Sequence, residues 1–224
     1  MAGFGSILGQ RAAVELLQRA LRDDRIPHAI VLLGPDGVGK TTLARTLAAA
    51  ILCERNPDDA CGACRSCTRV EHGNHPDFLV VKREPKKPTA SNRHADVDES
   101  DLKSFIVVDQ IRELAVHAGY PPREGSHRIL LIDPADRMND EAQNALLKTL
   151  EEPSSRTVLI LTAARTHLLL PTVRSRCFAL ALAPMRTPAL AAALTERGTP
   201  SDEAAVRAAL SGGRPGRAIS LDVE

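Results

Sequence analysis

The sequence predicts an α/β fold in which a mostly parallel sheet is covered by helices on both faces. Two observations support this prediction. Short apolar runs that suit buried strands alternate with segments of helical periodicity, and the first run leads directly into a glycine-rich loop and a helix. The apolar runs are Ala29–Leu33, Phe78–Val81, Arg128–Asp133, Thr157–Thr162 and Phe178–Leu182.

Helical segments lie between these runs. The last long segment begins at Asn139, whose side chain suits a helix cap, and Pro153 ends it. Apolar residues recur with a helical period in four segments, which are residues 10–22, 41–52, 108–118 and 139–151.

The composition of the chain changes along its length. Residues 82–104 are polar and rich in proline without periodicity, and we expect a flexible insertion there. From Pro184 onward the chain is rich in alanine and reads as helical. We therefore expect residues 1–180 to form a nucleotide-binding domain and residues 181–224 to form a small helical lid.

The loop after the first apolar run carries the clearest chemical signal. Residues 34–41 read Gly-x-x-Gly-x-Gly-Lys-Thr. Such glycines let successive backbone N–H groups point at a polyphosphate, the lysine neutralises its oxygens and the threonine hydroxyl reaches Mg²⁺. A glycine-rich turn without a ligand is the alternative, but the strand before and the helix after the loop favour ATP binding. The expected nucleotide-binding residues here are Gly34, Gly37, Gly39, Lys40, Thr41 and Thr42.

A carboxylate at the tip of a neighbouring strand would hold Mg²⁺ in such a site. Asp133 ends the third apolar run and is the candidate, with a simple strand-end cap as its alternative role. Hydrolytic proteins of this class place a glutamate next, which polarises the attacking water, but here the next residue is Pro134. Asp136 is expected to cap the following turn. The sequence therefore predicts a chain that binds ATP and hydrolyses it weakly or not at all.

Four of the five cysteines lie in residues 53–67 with the spacing C-x7-C-x2-C-x2-C. Each C-x2-C turn can bring two thiolates to one tetrahedral metal, and four sulfur ligands favour Zn²⁺ in a closed structural site. Reduced thiols that cluster without a metal are the alternative. His72 and His75 are interpreted as loop residues. The expected zinc ligands are Cys53, Cys61, Cys64 and Cys67.

The composition argues against several classes of protein. The 224 residues include 29 Lys and Arg and 28 Asp and Glu, so that the net charge is +1 and no overall basic field draws the chain to nucleic acid. Aromatic residues make up 2%, which argues against a base-stacking platform. No apolar run approaches the ~20 residues of a membrane span, and charges occur throughout the first residues. We therefore expect a cytoplasmic protein without a signal peptide.

These motifs together resemble the AAA+ clamp-loader subunits of bacterial DNA polymerase III. The phosphate loop alone indicates a superfamily, whereas Leu-Leu-Lys-Thr-Leu-Glu-Glu-Pro at residues 146–153, followed by Ser-Arg-Cys at 175–177, is far more specific. His-Pro-Asp at 75–77 and Val-Asp-Gln-Ile-Arg at 108–112 favour the delta-prime subunits over the gamma/tau subunits. The resemblance covers nearly the whole chain.

The resemblance implies roles for two arginines and a set of partners. Arg176 matches the family's arginine finger, which stabilises the γ-phosphate bound to a neighbouring subunit. Arg217 matches the lid arginine that senses nucleotide on the same chain. A surface arginine and a plain inter-helix turn are the respective alternatives. The implied partners are the gamma/tau and delta subunits and, through the complex, the sliding clamp and primed DNA.

The chain departs from the family pattern in three places. Pro134 replaces the catalytic glutamate. The sensor threonine at a strand tip falls on Ala163, and Thr162 is displaced by one position, where a strand side chain points to the opposite face. Family members usually carry a further C-terminal collar domain, which this chain would lack.

The leading interpretation is a delta-prime subunit that completes the clamp-loader ring and lends an arginine finger to a motor neighbour, with weak or absent ATPase activity of its own. The alternative is an active AAA+ ATPase motor of the gamma/tau type. The cysteine cluster and Ser-Arg-Cys argue against a nucleotide kinase. A further alternative is a zinc-dependent interaction module whose phosphate loop is vestigial. Such a module would not bind ATP.

Overall fold

The computed structural model describes residues 3–86 and 99–221. The strands in this part of the chain are β1 (Ala29–Leu33), β2 (Phe78–Val81), β3 (Arg128–Ile132), β4 (Thr157–Ala163) and β5 (Phe178–Ala181). The helices are α1 (Arg11–Arg22), α2 (Lys40–Ile51), α3 (Arg65–Glu71), α4 (Val108–Ala118), α5 (Asp140–Glu151), α6 (Pro171–Arg174), α7 (Thr187–Glu196), α8 (Ser201–Leu210) and α9 (Pro215–Ser220).

The five strands form a parallel sheet in the order β2-β3-β4-β1-β5. Phe78 pairs with Ile129 across β2 and β3, and Arg128 pairs with Thr157 across β3 and β4. Both β3 and β4 are buried along their whole length, as expected for strands that are covered on both faces. The predicted α/β fold is confirmed.

The chain divides into two compact units, which we describe separately. The first consists of Met1–Ile26, Leu32–His72 and Leu180–Glu224, and the second of Pro27–Val31 and Gly73–Ala179. The glycine-rich loop, the cysteine cluster and the C-terminal helices therefore belong to the first unit. Strands β2, β3 and β4 belong to the second.

Buried apolar residues stabilise the first unit. Helix α2 is almost wholly buried, with Leu43 and Leu47 at its centre. The C-terminal helices α7, α8 and α9 enclose a core of their own, in which alanines allow close helix contacts. Its buried members are Leu190, Leu194, Ala204, Ala208 and Ala218.

A buried ion pair organises the second unit at the start of β2 and β3. The guanidinium of Arg128 lies 3.2 Å from the carboxylate of Asp77, and both side chains are almost fully buried. The Asp77 carboxylate also accepts hydrogen bonds from the backbone N–H groups of residues 123, 124 and 125 at 2.7–2.8 Å. These donors satisfy a charge that burial alone would make costly.

The ends of the predicted insertion at 82–104 pair with each other. The backbone N–H of Lys86 donates to the carbonyl of Asp101 at 2.7 Å, and that of Lys103 donates to the carbonyl of Glu84 at 2.7 Å. Pro85 and Leu102 form an antiparallel bridge. Residues 87–98 of this segment lie outside the described residues. The sequence did not indicate the pairing, because polar ends held by backbone hydrogen bonds leave no periodic pattern.

Most predicted helices agree with the structure. The Asn139 side chain accepts a hydrogen bond from the backbone N–H of Ala142 at 2.9 Å and begins α5 as predicted. Helices α3 and α6 were not predicted, because both are short. The sequence of α3 was interpreted as part of the cysteine motif, and α6 begins at a proline, which also suits a turn. No helix in residues 3–86 and 99–221 is long and apolar enough to cross a membrane.

Candidate nucleotide-binding site and cysteine cluster

The predicted phosphate loop connects β1 to α2 in the first unit. Gly37 and Gly39 have φ values of +80° and +105°, which residues with side chains rarely adopt. Gly39 directly precedes α2, so that Lys40, Thr41 and Thr42 form its first turn. The start of a helix offers backbone N–H groups and a positive dipole end to an anion.

The Lys40 ammonium group is enclosed by the loop. Its Nζ donates hydrogen bonds to the carbonyl oxygens of Gly34 at 2.7 Å and Pro35 at 3.0 Å. It lies 3.4 Å from the carboxylate of Asp36, which is exposed. The Lys40 side chain is only 7% exposed. The positive charge of Lys40 is therefore held inside the loop.

Helix α9 contacts the same loop within the first unit. The backbone N–H of Gly216 donates to the carbonyl oxygen of Gly37 at 2.8 Å. The backbone nitrogen of Arg217 lies 3.1 Å from the position that a Cβ atom on Gly37 would occupy. The structure thus brings the predicted lid arginine and the predicted phosphate loop together.

Asp133 lies in the second unit, directly after β3, and is half-buried. The hydroxyl of the fully buried Thr162 donates a hydrogen bond to its carboxylate. Alternation along the strand placed Thr162 on the face opposite to Ala163, and it did not indicate this contact with Asp133. Because Ile132 pairs with Leu161 in parallel register, the next residue of β3 and the next residue of β4 share a face. Ala163 follows on β4 and is buried.

Asp136 does not simply cap its own turn. One carboxylate oxygen accepts hydrogen bonds from the backbone N–H of Arg165 at 3.1 Å and from its Nε at 3.4 Å. The other oxygen, Oδ1, is buried without a hydrogen-bond partner. Asp136 therefore connects the segment after β3 to the segment after β4. Sequence spacing gave no signal for this contact, because it joins residues far apart in the chain.

Arg176 follows helix α6 in the second unit. Its guanidinium lies 2.6 Å from the carboxylate of Glu151 and donates to the carbonyl of Thr172 at 3.0 Å. The side chain remains 36% exposed. Glu151 belongs to the Leu-Lys-Thr-Leu-Glu-Glu-Pro segment, so the ion pair joins the two motifs that carried the family resemblance.

The cysteine cluster is assembled as predicted. The sulfur atoms of the four cysteines all lie within 4.8 Å of one another. A tetrahedral Zn²⁺ with Zn–S bonds of about 2.3 Å separates its sulfur ligands by about 3.8 Å, so the arrangement fits this ion. Backbone N–H groups approach three of the sulfurs at 3.3–3.4 Å, and these donors stabilise thiolates. The approached sulfurs belong to Cys53, Cys61 and Cys64.

The environments of the thiols differ. Hydrogen bonds from the backbone N–H groups of Ala63 and Cys64 lower the pKa of Cys61 to about 6. Burial raises the pKa of Cys67 above its ordinary value.

His75, interpreted as a loop residue, is buried, and its Nδ1 accepts a hydrogen bond from the backbone N–H of Asp77. The four sulfurs form the metal-ligating group found in the described part of the chain.

Comparison with solved structures finds a similar fold in a known protein. The RuvB Holliday junction branch migration motor of Thermotoga maritima matches with a TM-score of 0.56 and 20% sequence identity, over 96% of this chain and 61% of that chain. At this level of identity the likeness concerns the fold alone.

Comparison of sequences then gives the family. Residues 9–186 match the family described as "DNA polymerase III, delta subunit", and because this match takes in most of the chain, the chain belongs to that family.

Individual relatives agree with this assignment. DNA polymerase III subunit delta' of Pseudomonas aeruginosa is 41% identical over 152 residues, which are 67% of this chain and 41% of that protein. DNA polymerase III subunit gamma/tau of Mycobacterium tuberculosis is 35% identical over 176 residues, which are 78% of this chain and 28% of that protein. DNA polymerase III subunit delta' of Bacillus subtilis is 31% identical and covers 84% of this chain and 52% of that protein. The chain spans about half or less of the length of these relatives.

Proposed function

We propose that this chain acts as a clamp-loader subunit of the delta-prime type, which binds ATP with Mg²⁺ and hydrolyses it slowly or not at all. The observation that carries the proposal is the complete phosphate loop with an enclosed Lys40 in a chain that has Pro134 where a catalytic glutamate would stand. Phosphate binding needs the loop and the lysine, whereas water activation needs a base that proline cannot supply.

We expect the phosphate loop to hold the nucleotide. The backbone N–H groups around Gly37 and Gly39, with Lys40, would meet the phosphates, and Thr41 would reach Mg²⁺. The remaining predicted contacts are Gly34, Thr42, Asp133 and Arg217. Because the Thr162 hydroxyl donates to one oxygen of Asp133, it would fix the orientation of the carboxylate that is predicted to hold Mg²⁺. The ion supplies charge neutralisation at the phosphates.

Zn²⁺ would occupy the cysteine cluster in a structural role. The four sulfurs come from two turns around α3 and the end of α2, so a bound ion would fix this segment against α2. The site offers no open ligand position for chemistry.

Family membership supports a proposal about assembly. We infer that the chain joins gamma/tau and delta subunits in a ring that places a sliding clamp on primed DNA during cytoplasmic DNA replication. Arg176 would act as the trans arginine finger on a motor neighbour. The division into an α/β domain at 1–180 and a lid at 181–224 remains part of this proposal.

A second candidate is an active ATPase motor of the gamma/tau type. The gamma/tau relatives favour it, because the Mycobacterium tuberculosis protein matches 78% of this chain at 35% identity. Pro134 argues against it for the reason given above.

The direct test of the site is Lys40→Ala. We expect loss of ATP affinity by about 100-fold, because a buried ammonium that bonds to phosphate oxygens contributes two or more charge-assisted hydrogen bonds. Isothermal titration with Mg–ATP measures the affinity, and a thermal melt shows that the fold is retained. Lys82→Ala, at an exposed lysine, is the control. Unchanged affinity in Lys40→Ala would refute the assignment.

A further inference from the structure

Two glycines meet where helix α9 contacts the phosphate loop. The N–H of Gly216, the second residue of α9, donates to the carbonyl oxygen of Gly37 at 2.8 Å. A Cβ atom on Gly216 would lie 3.0 Å from that oxygen and 3.3 Å from the Cα of Gly37. Both distances are tighter than most contacts that real Cβ atoms make, so a side chain at position 216 would require the loop to shift slightly.

The backbone of α9 does not itself require glycine at this position. The φ of Gly216 lies outside the left-handed region that favours glycine, and alanine is the better helix former. The glycine is therefore explained by the close contact with Gly37 and not by local conformation.

The contact fixes the direction of one peptide group in the loop. The carbonyl of Gly37 and the N–H of Val38 belong to one planar unit and point in opposite directions. Holding that carbonyl against α9 orients this peptide unit, whose Val38 N–H donates to the carbonyl oxygen of Pro35 at 3.3 Å and so helps to set the shape of the loop. The predicted lid arginine follows immediately as Arg217.

We propose that Gly216 is a positioning residue for nucleotide phosphates, which holds the Gly37 peptide so that the loop is preorganised for binding. This inference rests on the proposed ATP site. A side chain at position 216 would push the Gly37 carbonyl by a few tenths of an ångström. The displaced loop would then lose the hydrogen-bond geometry that the phosphates need.

The experiment compares Gly216→Ala and Gly216→Val with Gly5→Ala. Gly5 is an apt control because it lies in the same unit and an added Cβ would meet nothing within 4 Å. Isothermal titration of the whole chain with Mg–ATP should show affinity about fivefold lower in Gly216→Ala, corresponding to one impaired hydrogen bond, and a larger loss in Gly216→Val. Melting temperatures of the nucleotide-free Gly216→Ala and Gly5→Ala chains should match the unaltered chain, which separates positioning from stability.

A second readout needs no nucleotide. Hydrogen exchange followed by NMR should show the Gly216 amide protected in the unaltered chain, because its N–H is bonded to Gly37. Equal ATP affinity in Gly216→Val, or an amide that exchanges as fast as in an open chain, would overturn the positioning role alone. Absence of ATP binding by the unaltered chain would overturn the proposed function and this role together.

Discussion

At the scale of single residues, the proposed function separates phosphate binding from phosphate cleavage. The Lys40 ammonium group donates hydrogen bonds to two carbonyl oxygens inside the loop, and we propose that its charge meets the phosphates. Pro134 occupies the position of a catalytic base and has no group that can accept a proton. Thr162 orients Asp133 without replacing that base.

Arg176 provides a prediction at this scale. Its ion pair with Glu151 is partly exposed, so removing it should cost little stability, about 0–1 kcal/mol. We expect Arg176→Ala to leave ATP binding by this chain unchanged but to slow ATP hydrolysis by a ring assembled with gamma/tau and delta subunits by about 100-fold or more. A steady-state phosphate-release assay on the assembled ring measures this.

Arg174→Ala is the matched control, because Arg174 lies two residues away and is exposed. Ring turnover that is the same in both variants and in the unaltered chain would remove the trans role of Arg176.

At the scale of secondary-structure elements, a buried ion pair between Asp77 and Arg128 joins the starts of β2 and β3. Burial alone would raise the pKa of Asp77, but backbone N–H groups of residues 123–125 and the Arg128 guanidinium outweigh it and hold the pKa below its ordinary value. The carboxylate therefore contributes stability that is complete above the ordinary aspartate pKa of about 4. This stability is lost as the pH falls through the lower folded-state pKa.

Asp77→Asn tests this argument. We expect the substitution to lower the free energy of unfolding by about 3 kcal/mol at pH 7, because it leaves Arg128 buried without its charged partner. The difference from the unaltered chain should shrink as the pH falls from about 5 toward 2. Urea unfolding at a series of pH values measures it. Asp109→Asn, at an exposed surface pair, should show neither effect, and a pH-independent difference in Asp77→Asn would contradict the account.

The cysteine cluster leads to a prediction about metal binding. We expect one Zn²⁺ per chain by elemental analysis, and we expect a chelator added after denaturation to block refolding of the segment around α3. Cys64→Ser should lose the metal. Cys177→Ser should keep it, because Cys177 lies outside the cluster and burial raises its thiol pKa to about 11. Complete refolding without metal would contradict a structural zinc.

The elements also show what the sequence could predict. Strands β1 to β5 and the cap at Asn139 follow from apolar runs and local hydrogen bonding, which are encoded within a few residues. The Asp77–Arg128 pair and the Asp136–Arg165 contact join residues that are distant in the chain, so no local pattern indicates them. The contact between Thr162 and Asp133 depends on the register that pairs β4 with β3, which alternation along β4 alone does not show.

At the scale of the whole molecule, the family is established over most of the chain, and the motifs that indicated it lie in both compact units. The phosphate loop and Arg217 lie in the first unit, and Asp133 and Arg176 lie in the second. Sequence motifs could assign both groups to one nucleotide-dependent function. They could not show that Gly216 and Gly37 meet through their backbones, since glycine spacing says nothing about contacts between distant segments.

The central claim is that this chain binds a nucleoside triphosphate without cleaving it at a motor's rate. The most direct measurement is phosphate release from Mg–ATP by the purified chain alone, at ATP concentrations that titration shows to be saturating. We expect binding with turnover far below the ~1 s⁻¹ at the lower end of typical enzymes. Sustained release at about 1 s⁻¹ or faster, abolished by Lys40→Ala, would show that the chain is itself a motor and would contradict the account.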